Sequence, residues 1–259
     1  MKFHRMVNFI CGAWLITWFM AAGFCAGSNP EFHLLRSFQG PNLAHPFGFD
    51  AFGRDLLVTL LRSSSLSAGF ALAATGITIF LAIIIGSSMA LAPQNLRFYL
   101  LRLLDLALAF PSILIALSLA AVMGPGWGTL TIALAVGIIP PFVRLVYVRC
   151  QELLAEDYVL AARSLGANPR RILSHHLGPP LLSLCSIKAP TLFAHALMAE
   201  ATLSFMGVGA PIGRDTWGAL LAQAKDYLIE APHIAIGTGI PLVLTVLALQ
   251  AVSKTDTSR

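Results

Sequence analysis

From Ser63 to Leu96 the chain carries no Asp, Glu, Lys or Arg, and the same holds from Met6 to Pro30. Runs this long and apolar constrain the fold more than any other feature. A hydrocarbon core ~30 Å thick is crossed by ~20 residues of helix. Composition agrees: 57% of the 259 residues are apolar and 11% are charged, against ~45–50% and ~25% in soluble domains. That excess is too large to bury in a water-soluble core of this length. A soluble globular domain and a disordered chain are both excluded. Four cysteines, Cys11, Cys25, Cys150 and Cys185, are too few for a disulfide scaffold and form no CxxC pair. They read as packing thiols, so no metal or redox site is expected from them.

The charges punctuate about six spans, and the expected fold class is an all-α polytopic membrane protein. The first span runs from about Cys11 to Ala26. With Lys2 and Arg5 before it and Ala26-Gly27 after it, it mimics a cleaved signal peptide, but the spans that follow favour a retained helix. Bulky Phe24 disfavours a lipoprotein cysteine at Cys25. Residues 27–65, with Pro30, Pro41 and Pro46, read as a long loop. Further spans are expected at about Leu66–Ala92, Leu100–Met123, Thr129–Val148, Leu184–Val208 and between Glu230 and Lys254. The organisation is then 1–65 for the first helix and its loop, 66–253 for the transmembrane core with a polar loop at 149–183, and 254–259 for a tail.

Six spans place both termini on one side. With that side cytoplasmic, Lys2, Arg5, Arg97, Arg102, Arg144, Arg149, Arg163, Arg170, Arg171, Lys188, Lys254 and Arg259 are inside. Only Arg36, Arg54, Arg62, Arg214 and Lys225 are outside. Basic residues are retained on the cytoplasmic face, so this bias puts residues 27–65 and 209–232 outside and 149–183 inside. It also accounts for the formal charge of +5 without a nucleic-acid partner.

The inside loop holds two short helices. Asp157 to Leu165 reads as the first, with Asp157 as its cap and Gly166 as a left-handed terminator. Asn168-Pro169 starts a second, which should stop at Gly178-Pro179-Pro180. Neither is long enough to cross a bilayer. Tyr158, Ala161, Ala162 and Leu165 share one stripe. Two readings fit it: packing on the chain's own spans, or a surface that another protein approaches closely.

Charged residues inside spans usually face a bundle interior or a water-filled path. Glu200 reads either as a pathway or gating residue or as a hydrogen-bonded tie between helices, the tie being favoured. His195 reads as a satisfied interior histidine. Asp105 is expected to pair with Arg102, three residues before it, and Pro111 to kink the third span. His175 and His176 are adjacent and diverge around a helix, so they do not chelate a metal. There is no HExxH, no GxSxG and no glycine-lysine of a Walker A. No catalytic, cofactor-binding or metal-binding residue is therefore expected.

Several motifs in collinear order, from about residue 45 to 249, resemble those of ABC importer permeases, specifically the C-type subunits of the dipeptide/oligopeptide/nickel family. Asp157-Tyr158-Val159-Leu160-Ala161-Ala162-Arg163-Ser164-Leu165-Gly166-Ala167, followed by Arg171 and His176, resembles the EAA loop. His45-Pro46-Phe47-Gly48-Phe49-Asp50-Ala51-Phe52-Gly53-Arg54-Asp55 resembles the HPLGTDxxGRD segment before the second span. Arg102-Leu103-Leu104-Asp105 with Leu108-Ala109-Phe110-Pro111, then Gly124-Pro125 and Arg144-Leu145-Val146, match in turn. Ala199-Glu200-Ala201-Thr202-Leu203-Ser204-Phe205-Met206-Gly207-Val208-Gly209 with Trp217-Gly218 resembles AEASLSFLGLG…WG. The sequence departs at Leu160, where the family has glutamate, at Gly178-Pro179-Pro180, in the shortened turn Pro93-Gln94-Asn95-Leu96, and at the C-terminus.

The resemblance implies a coupling helix that docks in a groove of an ATP-binding subunit, through Asp157, Tyr158, Ala161, Ala162, Arg163, Leu165, Gly166, Ala167, Arg171 and His176. It assigns Gly48, Asp50, Gly53, Arg54 and Asp55 to an extracytoplasmic motif. Glu200, Asp105 and Pro111 remain pathway or gating candidates. Implied partners are a homologous B-type permease, two ATP-binding subunits, an extracytoplasmic solute-binding protein and membrane lipid. The implied location is the inner membrane, with ATP hydrolysis on other chains and no cofactor on this one. The solute would be a peptide, or alternatively a nickel chelate or opine-like compound. Two other classes compete. A secondary transporter or channel would favour an inverted repeat, and none is visible. An intramembrane hydrolase would need a polar pair at matched depth, and Glu200 and His195, five apart, fit that poorly.

Overall fold

The computed structural model describes residues 2–25, 27, 32–124, 126–209 and 215–256. Pro125, residues 210–214 with Arg214, and residues 257–259 lie outside the described set, as do residues 28–31 of the long loop. The described residues form helices and no extended strand, with one isolated bridge between Phe49 and Asp55. The protein is an all-α polytopic membrane protein.

The helices are α1 (Lys2–Cys25), α2 (Leu56–Leu91), α3 (Gln94–Ala109), α4 (Ser112–Met123), α5 (Trp127–Leu154), α6 (Asp157–Ser164), α7 (Pro169–Arg171), α8 (Gly178–Phe205), α9 (Trp217–Lys225) and α10 (Pro232–Asp256). α2, α5, the continuous Pro169–Phe205 helix and α10 are each long and apolar enough to cross a membrane. Six spans are reached only by counting two weaker cases. One is the bent pair α3 and α4; the other is the apolar part of α1, Ile10–Cys25.

Three boundaries differ from the sequence reading. The second span begins at Leu56, not near Leu66, because Asp55 caps it: its Oδ1 accepts from Val58 N at 3.1 Å. The third span is not one kinked helix. α3 and α4 meet at 83° across Phe110-Pro111, since Phe110 is extended and proline disfavours a helical residue before it. The helix starting at Pro169 does not stop at Gly178-Pro179-Pro180. It passes through a π-helical segment at Ile172–Leu177 and runs on as α8. The wider turn supplies the adjustment that two missing N–H groups demand.

Small residues let the spans approach. α2 lies on α5 with Ala71, Ala74, Ala82, Ala133 and Ala135 all buried. A Cβ on Gly86 would sit 2.9 Å from Val146 Cγ1, so only glycine fits at that crossing. One core cluster joins α2, α5, α8, α9 and α10 around Phe70, Leu197 and Trp217. A second, around Val143, Cys150, Leu177 and Cys185, carries Val159 of α6. Cys150 and Cys185 are thus buried packing residues, as expected.

Candidate functional site

Three places gather the residues singled out above. The first is the corner after α5. Glu156, not Asp157, is the N-cap of α6, and it makes no side-chain cap bond. Asp157 instead sits in the first turn, where a carboxylate suits the positive helix end. The C-terminus is as expected. Gly166 has φ +84°, its N–H bonds to the Arg163 carbonyl, and Ala167 N–H bonds to the Ala162 carbonyl. This 6→1 and 5→2 pair is the Schellman arrangement. Asn168 accepts from Arg171 N at 2.8 Å and starts α7.

Sequence periodicity missed the anchor of this corner. Val159 is fully buried in the second core cluster. Tyr158, Ala161, Arg163 and Leu165 are exposed, with Leu165 at 89%, and Ala162 is half-buried. Most of the stripe is therefore open, and its contact with the chain's own spans is at Tyr158 and the half-buried Ala162. Tyr158 stacks on His176, with ring centroids 6.1 Å apart.

The second place is a knot formed by the loop before α2 and the start of α9. Asp50 Oδ1 accepts from Phe52 N and Arg54 N, and its Oδ2 accepts from Arg54 Nε at 2.7 Å. Arg54 also donates from Nη1 to Asp215 Oδ2 at 2.6 Å and lies 5.1 Å over the Phe52 ring. Burial works against the guanidinium charge, but Asp215 and Asp50 outweigh it and hold the Arg54 pKa above its ordinary value. Asp55, besides capping α2, pairs with His45 Nδ1. Gly48 and Gly53 have φ +73° and +69°. A Cβ on Gly53 would lie 1.9 Å from the His33 carbonyl oxygen, so both the sign of φ and the space require glycine.

Glu200 stands next to this knot and is fully buried. Its Oε1 accepts from Ser204 Oγ at 2.6 Å. Ser67 of α2 and Thr216 at the α9 cap lie within interaction range of the same carboxylate. Ser67 Oγ accepts from Trp217 N, and Trp217 Nε1 donates to the Leu60 carbonyl. A Cβ on Gly218 would approach the Ala201 carbonyl oxygen to 2.3 Å. Glu200 thus sits where α2, α8 and α9 converge, with Oε1 bonded along α8 and Oε2 left without a hydrogen bond. Asp215, Thr216 and Ser67 carried no sequence signal for this role.

The third place is a cavity of about 500 Å³ between α5 and α8, lined by Ser112, Gly137, Pro141, Leu145, Lys188, Thr191 and His195 among others. His195 was expected to be satisfied in the interior; it is exposed on this wall instead. Asp105 pairs across to Arg144 of α5, not with Arg102, which lies over the Phe98 ring. Three residues along a helix put Arg102 within reach, but Arg144 Nη1 reaches Asp105 Oδ1 from a second helix. Pro111 separates α3 from α4 and so positions Ser112 at the cavity.

Residues 79–255 match the family described as binding-protein-dependent transport system inner membrane component. A putative peptide transport system permease protein of Brucella suis is 37% identical over 215 residues, which is 83% of this chain and 72% of that one. A dipeptide transport system permease protein of Alkalihalophilus pseudofirmus is 33% identical over 233 residues, 88% of this chain and 73% of that one. A glutathione transport system permease protein of Pectobacterium atrosepticum is 34% identical over 214 residues, 81% of this chain and 70% of that one. The chain belongs to the binding-protein-dependent inner membrane transport components, and is a permease subunit of an ABC importer.

Proposed function

We propose that this chain forms half of a translocation path for short peptides, paired with a homologous permease subunit. Two separate ATP-binding subunits would drive it, and a solute-binding protein would deliver cargo from outside. The observation that carries the reading is the α6 corner. Val159 pins the helix to the core, while Tyr158, Ala161 and Leu165 stand in the open. An exposed apolar helix face beside a rigid turn suits helix-in-groove docking. Arg163 would reach the rim of such a groove, where charge steers more than it binds.

ATP would be hydrolysed on the partner chains, since this sequence has no phosphate-binding glycine-lysine loop. Peptide as cargo follows from the three relatives, which are peptide, dipeptide and glutathione permeases. The basic-residue bias supports cytoplasmic termini. A cysteine at Ser37, in a background without the native cysteines, should react with an impermeant reagent added from outside. Reaction only after permeabilisation would reverse the orientation.

Reconstitution with the genetically adjacent subunits tests the function. Labelled dipeptide should enter proteoliposomes only with ATP and both ATP-binding subunits present. Uptake that persists without those subunits would make the chain a secondary transporter.

A further inference from the structure

Lys188, Thr191, Leu192 and His195 follow one another at three, four and seven residues, which is one face of α8. All four line the cavity, opposite Gly137, Pro141 and Leu145 of α5. These are the central turns of both helices, Trp127–Leu154 and Gly178–Phe205. A cation at that depth is costly unless it meets water or a counter-charge. Neither Asp105, which pairs with Arg144, nor Glu200, whose Oε1 accepts from Ser204, lines the cavity. Among the described residues no carboxylate pairs with Lys188.

The wall therefore presents donors. Lys188 Nζ, a ring nitrogen of His195 and the hydroxyl of Ser112 all belong to it, while the Thr191 hydroxyl donates to Ser253 Oγ of α10. It also presents one backbone acceptor, because Pro141 has no N–H to give the Gly137 carbonyl four residues before it. Donors clustered around one uncompensated ammonium suit a carboxylate. The nearby free carbonyl suits an ammonium group on the same solute.

We propose that this cavity is a transit subsite in which Lys188 and His195 receive the free carboxylate of the passing solute. The proposal rests on the peptide-permease reading for its natural ligand, the C-terminal carboxylate of a short peptide. The counter-ion is the cargo's own, not a fixed carboxylate of the second permease subunit. Lys188 is then a specificity-determining residue, and an uncharged peptide end is handled less well than an ionised one.

Two measurements on the assembled importer test this. In the first, proteoliposomes take up a neutral-side-chain dipeptide or its C-terminal amide, both at saturating concentration. Lys188→Gln should lower the ratio of dipeptide to amide uptake about tenfold, the scale of one lost charge-assisted contact, and Lys188→Arg should restore it. An unchanged ratio overturns the subsite. In the second, His195→Cys is made in a background with Cys11, Cys25, Cys150 and Cys185 replaced by alanine. A small anionic methanethiosulfonate should modify it faster than a cationic one, and Lys188→Gln should erase that preference. No modification in the complex would mean that this face is buried against the other permease subunit, and the subsite falls. If the unaltered importer takes up neither peptide form, the peptide reading fails alone, and the thiol chemistry decides whether the cavity selects anions.

Discussion

The α6 corner and the Asp50–Arg54–Asp215 knot are both dense in motif residues, yet they spend those residues in opposite ways. In the knot nearly every group faces inward. Asp50, Arg54, Thr216 and Trp217 are buried; Asp50 and Arg54 bond to each other, Thr216 accepts from Ala219 N, and Trp217 bonds to Ser67 and Leu60 of α2. In the corner only Val159 turns inward, while Tyr158, Ala161, Arg163 and Leu165 project from the chain. The knot bonds most of its polar groups within the chain, leaving Arg54 Nη2 without a hydrogen bond; the corner leaves its apolar residues open, as the docking proposed above requires. A motif can therefore mark a buried, bonded knot at one place in a membrane protein and an open surface at another. Burial distinguishes the two where sequence cannot.

Substitutions should separate the two regions by what they damage. The largest effect is expected at Arg54→Ala, which strands two carboxylates and should cost about 3–5 kcal/mol. Recovery of folded protein from detergent extracts should collapse; normal recovery and melting would show that the knot holds nothing together. Next is Glu200. Glu200→Ala leaves the Ser204, Ser67 and Thr216 hydroxyls facing a void and should cost about 2–3 kcal/mol, read as a lower Tm. Glu200→Gln keeps an acceptor and should retain most transport. A normal Tm with transport lost in Glu200→Gln would make the residue a gate, not a tie.

Smaller effects belong to the corner. Gly166→Ala meets no steric neighbour, so its penalty is the positive φ alone, about 1 kcal/mol. It should loosen the turn and reduce ATP-driven uptake several-fold at unchanged expression; full uptake would mean that the turn need not be rigid. Ser164→Ala removes one exposed bond to the Leu160 carbonyl and should change stability by less than about 0.5 kcal/mol. A marked loss of transport there would put Ser164 on the docking face and redraw it.

Much of this molecule was legible in the residues. The charge-free runs fixed a helical membrane fold, Gly166 announced its left-handed turn, and Asn168-Pro169 announced the start of α7. The hidden parts share a physical reason: they depend on neighbours distant in sequence. Asp105 met Arg144 because α3 folds back at Phe110-Pro111 and lies beside α5, which no local spacing reveals. Gly178-Pro179-Pro180 reads as a stop, yet a π-helical segment upstream carries the helix through. Val159 lies inside the stripe region, but its burial depends on Leu154, Ile172 and Leu177 arriving from either side. Lys188 and His195 were visible as charges in a span, but only the opposite wall of α5 makes them a cavity.

The central claim is that the α6 face is built for a partner and not for this chain. Ala161→Trp tests it most directly, because Ala161 is exposed and its enlargement disturbs nothing within the subunit. The measurement is co-purification of the ATP-binding subunits, with the melting temperature of the permease recorded alongside. The account predicts an unchanged Tm and loss of the ATP-binding subunits from the complex. An intact complex carrying Ala161→Trp would contradict it.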